Sequence, residues 1–251
     1  MRPKGRHLCG AGGERRGDAT RNRLRAVYTR SSRYTSPQVF EAARASLADA
    51  FTPTGHALVH DLQQFSMHGS LSPDGLVVYF ERHFYDAALG KARRHIYTSH
   101  RADVSLPFDA PVPVDVLAVQ DDDLTPYVAG SDLWFTRLAA PSSILHVPLF
   151  MGSGAAAVPE PELSAPAASA SSPVASADGL TVFFTQSTTM GMLEARRATL
   201  QSPFTIRRVC ELATEHGTPS WLSPDGCRLY FTSTTLWQAP LRVASRCPAP
   251  P

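Results

Sequence analysis

At 251 residues, with 43% hydrophobic content and a formal net charge of only +2, the chain has apolar surface enough for one ample domain with several cores. It carries no apolar run of membrane-spanning length, and its overall charge does not mark it as a nucleic-acid binder. The charge is uneven, however. Residues 1–33 hold ten arginines and lysines against Glu14 and Asp18, a basic head of +8 on a body of about −6.

In chain order, Met1–Asn22 reads as a basic disordered leader, consistent with a start placed inside a longer reading frame. No aromatics interleave with its arginines as single-strand binding requires, so nucleic acid is not an expected partner. The body, 23–247, divides into units of about 23–61, 62–118, 119–165, 166–213 and 214–247, followed by a tail at 248–251. In the first unit, Val27–Arg30 and Val39–Ser46 read as strands. On propensity alone the second of these is equally helix-tolerant. The second unit carries Ser72-Pro73-Asp74-Gly75 followed by Leu76-Val77-Val78-Tyr79-Phe80, a tight turn entering a strand that is apolar on both faces. Its loop at Phe84–Arg93 mixes aromatic with basic residues and should protrude. The third unit is degenerate at its turn (Gly130-Ser131-Asp132). The stretch Gly152–Pro173, dense in alanine, proline and serine, reads as a linker or long surface loop. Ser176-Ala177-Asp178-Gly179 and Ser223-Pro224-Asp225-Gly226 then restore the turn in the fourth and fifth units.

The repeat is best seen at its aromatic anchors, Phe80, Phe135, Phe184 and Phe231, which stand 55, 49 and 47 residues apart, with Tyr28 a further 52 before Phe80. A strand greasy on both sides must be covered on both sides. Amphipathic helical windows are scarce, so small antiparallel sheets stacked radially are the expected solution. The Ser-Pro-Asp-Gly turn, the aromatic strand and a following strand such as Arg94-His95-Ile96-Tyr97-Thr98-Ser99 resemble the WD40-like (PD40) repeats of the TolB type over about residues 23–247. That resemblance implies an all-β propeller of about five four-stranded blades, with the strand before each turn innermost. The last blade would be completed by the N-terminal region; a six-bladed or truncated ring is the alternative. Such repeats carry more information about fold than about function.

Candidate chemistry is sparse. His68, Ser72 and Asp74 superficially suggest a hydrolase triad, but Ser72 occupies a turn position repeated at Ser176 and Ser223, where a hydroxyl tightens a turn. His56, His60 and Asp61 are too widely spaced along a strand to share one metal ion. Asp121, Asp122 and Asp123 lead into the inner strand of the third unit, Glu215 and His216 into that of the fifth, and Gln63 and Gln64 into that of the second. In a propeller these segments crowd around one mouth of the axial channel and form the expected binding site; the alternative is that they are ordinary solvated loop residues. Of the four cysteines (Cys9, Cys210, Cys227 and Cys247), the repeat frame offers a Cys227–Cys247 bridge, closing a loop of about 20 residues worth roughly 3 kcal/mol; buried free thiols in a reducing compartment are the alternative. The function expected is a non-enzymatic binding or scaffold module for a protein, small-molecule or carbohydrate ligand, acting as a monomer without cofactor or metal. A channel-mouth enzyme such as a glycoside hydrolase is the alternative. An extracytoplasmic location is expected if a signal peptide lies upstream.

Overall fold

A computed structural model describes residues 25–32, 35–46, 49–58, 65–114, 117, 121–149, 156–164, 168–188, 191–209, 217–223, 226, 228–232 and 236–240. The local chemistry of the turn builds the rest. At Ser72 the backbone N–H donates to Val77 O (2.8 Å) and the carbonyl accepts from Gly75 N–H (2.9 Å). The Ser72 hydroxyl donates to Asp74 Oδ1 (2.6 Å) and accepts from Val77 N–H (2.9 Å). Ser176, Asp178, Gly179 and Thr181 reproduce the same four bonds. Gly75, Gly130, Gly179 and Gly226 sit at φ 75°, 59°, 67° and 66°, the left-handed conformation that the turn demands. Ser72 and Asp74 are therefore turn residues and not parts of a triad.

Eighteen strands among the described residues form five antiparallel sheets. The first holds β1 (Arg25–Ser32), β2 (Thr35–Ala43) and β3 (Thr52–Ala57). The second holds β4 (Phe65–Leu71), β5 (Val77–Asp86), β6 (Lys91–His100) and β7 (Val112–Pro113). The third holds β8 (Asp122–Ala129), β9 (Asp132–Leu138), β10 (Ser143–Pro148) and β11 (Val158–Pro159). The fourth holds β12 (Ala170–Ala175), β13 (Thr181–Gln186), β14 (Met192–Arg196) and β15 (Thr205–Arg208). The fifth holds β16 (Thr218–Leu222), β17 (Arg228–Thr232) and β18 (Leu236–Pro240). This is an all-β propeller architecture. The strands before the turns, β4, β8, β12 and β16, form one edge of their sheets and pack on one another in succession, as inner strands must.

The two-faced strands explain the stacking. Val78 and Phe80, on one face of β5, are buried with Val39 of the first sheet and Leu58 just after its third strand. Tyr79, on the other face, is buried with Val128, Leu133 and Phe135 of the third sheet. Trp134 continues the series into the cluster that holds Phe183, Phe184 and Phe231. All four phenylalanine anchors are buried, whereas Tyr28 is only half-buried.

An arginine clamp recurs between sheets. Arg101 Nε donates to Gly75 O (2.8 Å), the guanidinium lies 4.2 Å over the Phe108 ring, and its two Nη groups grip Glu41 of the first sheet (3.1 and 2.9 Å). Arg197 repeats this on Gly179 O (2.9 Å), Phe204 (4.3 Å) and Glu160 (3.1 Å). The backbone N–H groups of Arg101 and Arg197 donate to Leu76 O and Leu180 O; in the third sheet Leu149 N–H makes the equivalent bond to Ser131 O, and its side chain packs in the apolar cluster instead.

Several expectations change. Only three of the sheets have four strands among the described residues, so the five complete four-stranded blades are not observed. By register on its anchor Tyr28, β1 corresponds to the second strand of the other sheets. It pairs with β2 in the first sheet, and the N-terminal residues expected to complete the last sheet lie outside the described residues. The stretch at 152–173 is not a plain loop: it supplies β11, a 3-10 turn at Pro161–Leu163 whose Leu163 is fully buried, and the first residues of β12. The helix-tolerant stretch at 39–46 is, as the repeat frame expected, a strand through Ala43, because it must pair with an anchor strand. The β5–β6 hairpin does protrude, with Tyr85 and Leu89 exposed. His60, Asp61 and the four cysteines lie outside the described residues, and with them the Cys227–Cys247 pairing.

Replacing Phe80 by alanine should cost about 3–5 kcal/mol in a denaturant melt, the range for emptying a buried aromatic site. The turn glycines should separate. A Cβ at Gly130 would stand 2.2 Å from Ala177 O, whereas a Cβ at Gly226 meets nothing within 4 Å. Gly226→Ala should therefore cost only the left-handed strain, about 1 kcal/mol, and Gly130→Ala clearly more. Equal losses at the two positions would count against this packing.

Candidate functional site

The end of the propeller where the inner strands begin is built around a repeated irregularity. Each of β4, β8, β12 and β16 is bulged against its partner, at Met67–Ser70, Leu124–Tyr127, Ser171–Val174 and Pro219–Trp221. At three of these bulges a non-glycine residue takes positive φ: His68 (51°), Thr125 (49°) and Ser172 (57°). Such residues store about 1–3 kcal/mol each and need compensation. Here each N–H freed by the bulge reaches back to the preceding sheet. His68 N–H donates to Thr29 Oγ1 (3.2 Å), Thr125 N–H to Glu81 Oε2 (3.3 Å) and Ser172 N–H to Thr136 Oγ1 (3.0 Å).

The acceptors Thr29, Glu81 and Thr136 each follow an anchor aromatic, and Thr185 and Thr232 hold the same place in the last two units. Within a sheet these residues also meet the bulge of their own inner strand. Thr125 and Thr136 share a hydroxyl bond (2.9 Å), as do Ser171 and Thr185 (2.9 Å) and Ser220 and Thr232 (3.4 Å). The second sheet departs from this pattern. Its pair is His68 Nδ1–H donating to Glu81 Oε2 (2.8 Å), and His83 Nε2–H donates to Glu81 Oε1 (2.6 Å). Arg94 Nη1 stands 4.0 Å from the same carboxylate. The Glu81 side chain is 1% exposed, whereas those of His68, His83 and Arg94 are 51%, 24% and 41% exposed. Burial pushes the Glu81 carboxyl up, but hydrogen bonding and charge from His68, then His83, outweigh it and hold the group below the usual glutamate range. An ionised carboxylate thus lies under two oriented imidazoles.

Two residues further along β8 the axis is bridged. Leu222 N–H donates to Tyr127 Oη (3.2 Å), tying the inner strands of the third and fifth sheets, and Val128 N–H donates to Ser70 Oγ (2.9 Å) in the second. Tyr127 is buried, and burial pushes its phenol pKa far up. The bulge layer therefore sits on the strand-start side of this tie.

Of the residues expected from the sequence, Asp121 is exposed, Asp122 half-buried and Asp123 buried. Asp122 Oδ1 accepts from Arg93 Nε (2.7 Å), and the Asp121 carbonyl accepts from Arg93 Nη2 (3.1 Å), joining β6 to β8. Asp123 accepts two bonds from Arg137 (2.8 and 3.0 Å). Burial pushes the Asp123 carboxyl up against the opposing pull of Arg137, while hydrogen bonding to Asp123 raises the Arg137 guanidinium. A guanidinium does not deprotonate, so the bidentate ion pair is the resident state. Asp122 and Asp123 therefore serve the fold. Gln63, Gln64, Glu215 and His216 lie outside the described residues, so their convergence with the aspartates is not observed. Among the described residues no group of three or more His, Cys, Asp and Glu is arranged to hold a metal ion. Sequence reasoning used His68 only in the rejected triad and passed over Glu81, His83 and Arg94. The signal was one glutamate in a column of threonines after the anchors.

No family model and no curated protein matches the sequence. Among solved structures the chain is similar to TolB from Acinetobacter baumannii (TM-score 0.53, 13% identity), covering 86% of this chain and 49% of that one. It is also similar to a putative TolB from Agrobacterium tumefaciens (0.50, 14%, covering 86% and 76%) and to prolyl oligopeptidase B from Galerina marginata (0.50, 10%, covering 86% and 29%). The chain thus spans about half the length of the Acinetobacter protein. At these identities the likeness is one of fold, a β-propeller.

Because the Glu81 carboxyl is depressed in the folded state, its contribution to stability is complete above the unfolded glutamate value and lost as pH falls through the folded one. Glu81→Gln should therefore flatten the acid limb of a melting-temperature profile below about pH 4.5; an unchanged limb would show that the carboxylate is not stabilised there. Arg137→Met leaves Asp123 buried and unpaired and should cost about 3–5 kcal/mol, with the Asp123→Asn, Arg137→Met double variant recovering part of the loss.

Proposed function

We propose that the chain is a non-enzymatic binding module, a run of PD40-type units, whose ligand face is the end where the inner strands begin. The observation that carries this reading is the bulge layer. Backbone strain, side-chain hydroxyls, two imidazoles and a guanidinium are gathered there, with Phe65 exposed beside His83 at 5.9 Å between ring centroids. At the opposite end, Ser72 and Asp74 and their repeats are spent on closing turns.

The glycosidase-like alternative needs two carboxyls facing each other across a pocket at about 5–9.5 Å, one of them a proton donor. Asp122, Asp123 and Glu81 are each engaged by cationic or imidazole side chains inside the framework, which leaves them poor candidates. An extracytoplasmic setting accompanies the proposal through the Cys227–Cys247 pairing. Peptide mapping without reduction should find the two cysteines joined, and alkylation of Cys227 would remove that support.

Glycan and peptide arrays probed with the whole chain test the face. Ligands retained by the chain should be lost on Phe65→Arg and kept on Asp74→Arg at the turn end. The reverse pattern would place the face elsewhere, and turnover of aryl glycosides by the unaltered chain would overturn the non-enzymatic reading.

A further inference from the structure

We propose that His68, His83 and Arg94, oriented on Glu81, form an anion-binding site that fills when the imidazoles are protonated and takes the oxyanion group, carboxylate or phosphate, of a ligand. The inference rests on the reading of this end as the binding face and names the chemistry recognised there.

The first ground is that the fold does not need this cluster. Where the third sheet accepts the N–H of the next bulge and closes its own bulge, a threonine hydroxyl suffices. Glu81 does both jobs with a carboxylate that has to be taken out of water, a costly replacement unless the charge is used. What the carboxylate adds is orientation. By accepting from Nδ1–H of His68 and Nε2–H of His83, it turns His68 Nε2 and His83 Nδ1 away from itself. Among the described residues no protein group is bonded to either of these nitrogens.

The second ground is charge. Imidazole is the side chain whose charge ordinarily changes between about pH 5 and 8. When the outward nitrogens take protons they become donors, and two positive charges join Arg94 around a single buried negative one. The charged groups on the surrounding elements are mostly spoken for. Arg25 and Arg101 hold Glu41, Arg93 holds Asp122 with Asp86 at 3.9 Å, and Arg137 holds Asp123. Arg82 lies over the Tyr97 ring, His95 stacks on Phe84, and His100 pairs with Val77 at the turn end. The exposed Asp121 opposes an anion, and the exposed Arg30 and Lys91 favour one. Phe65 offers the body of a ligand an apolar seat next to His83.

The test is titration of the full chain with succinate and with inorganic phosphate, followed by the histidine ring nitrogen signals in NMR. At about pH 5.5 both rings should shift saturably, and affinity should fall at least about tenfold by about pH 8. His68→Asn, which keeps a residue tolerant of the left-handed backbone, and His83→Gln should each abolish the effect at the remaining ring. Tighter succinate binding identifies a carboxylate ligand, and tighter phosphate binding a phosphorylated one. Binding that ignores pH, survives His68→Asn, or is absent at about pH 5.5 overturns the site. Such a failure would leave the array pattern of the Phe65 and Asp74 variants untouched, so the two readings can fail separately.

Discussion

The structure depends on strands that cannot be left bare on either face. In β5 the alternation of Val78 and Phe80 with Tyr79 sends apolar bulk both ways, into the first sheet and into the third. No single sheet can satisfy that demand, and neither can two sheets packed face to face, because one face of each stays wet. With no α-helix among the described residues to cover them, a series in which each sheet lies between two neighbours does so, and a twisted small sheet repeated this way closes around an axis. The turn chemistry, the arginine clamps and the bulges follow from keeping these faces in register.

The clamps show how polar groups are reconciled with such packing. Arg101 and Arg197 each satisfy a turn carbonyl, cover an aromatic ring and neutralise a glutamate of the neighbouring sheet. That combination lets a buried guanidinium contribute without an unmet donor, since a buried charge is tolerated when paired and hydrogen-bonded. Leu149 at the equivalent place shows that an apolar side chain also fills it, so the clamp refines a contact that hydrophobic burial already supports.

The inner strands raise a different problem. A bulge frees a backbone N–H next to the axis, and a hydroxyl from the preceding sheet answers it. In the second sheet the answer is a carboxylate, and the carboxylate brings in His68, His83 and Arg94. A structural position has thereby acquired titratable chemistry in one sector while the hydroxyl pairs of the third, fourth and fifth sheets remain neutral. The aspartates that look more functional in the sequence are the ones the framework consumes, because β8 begins where two arginines from the hairpin ends need anions.

What the sequence by itself determined is the local and periodic part: the Ser-x-Asp-Gly turns, the glycines at positive φ, the anchors at Phe80, Phe135, Phe184 and Phe231, and hence the propeller architecture. These are legible because turn conformation and strand alternation are set by residues a few positions apart. The strand character of 39–43 and the β11 strand inside an alanine-rich stretch were decided by the neighbouring strands they pair with, which local propensity does not encode. So was the site. Asp123 and Arg137 are 14 residues apart, Thr125 and Glu81 44, and Tyr127 and Leu222 95. Whether a carboxylate there is spent on the fold or left to face a ligand depends on which side chains the tertiary structure brings within about 3 Å of it, and no local pattern encodes that.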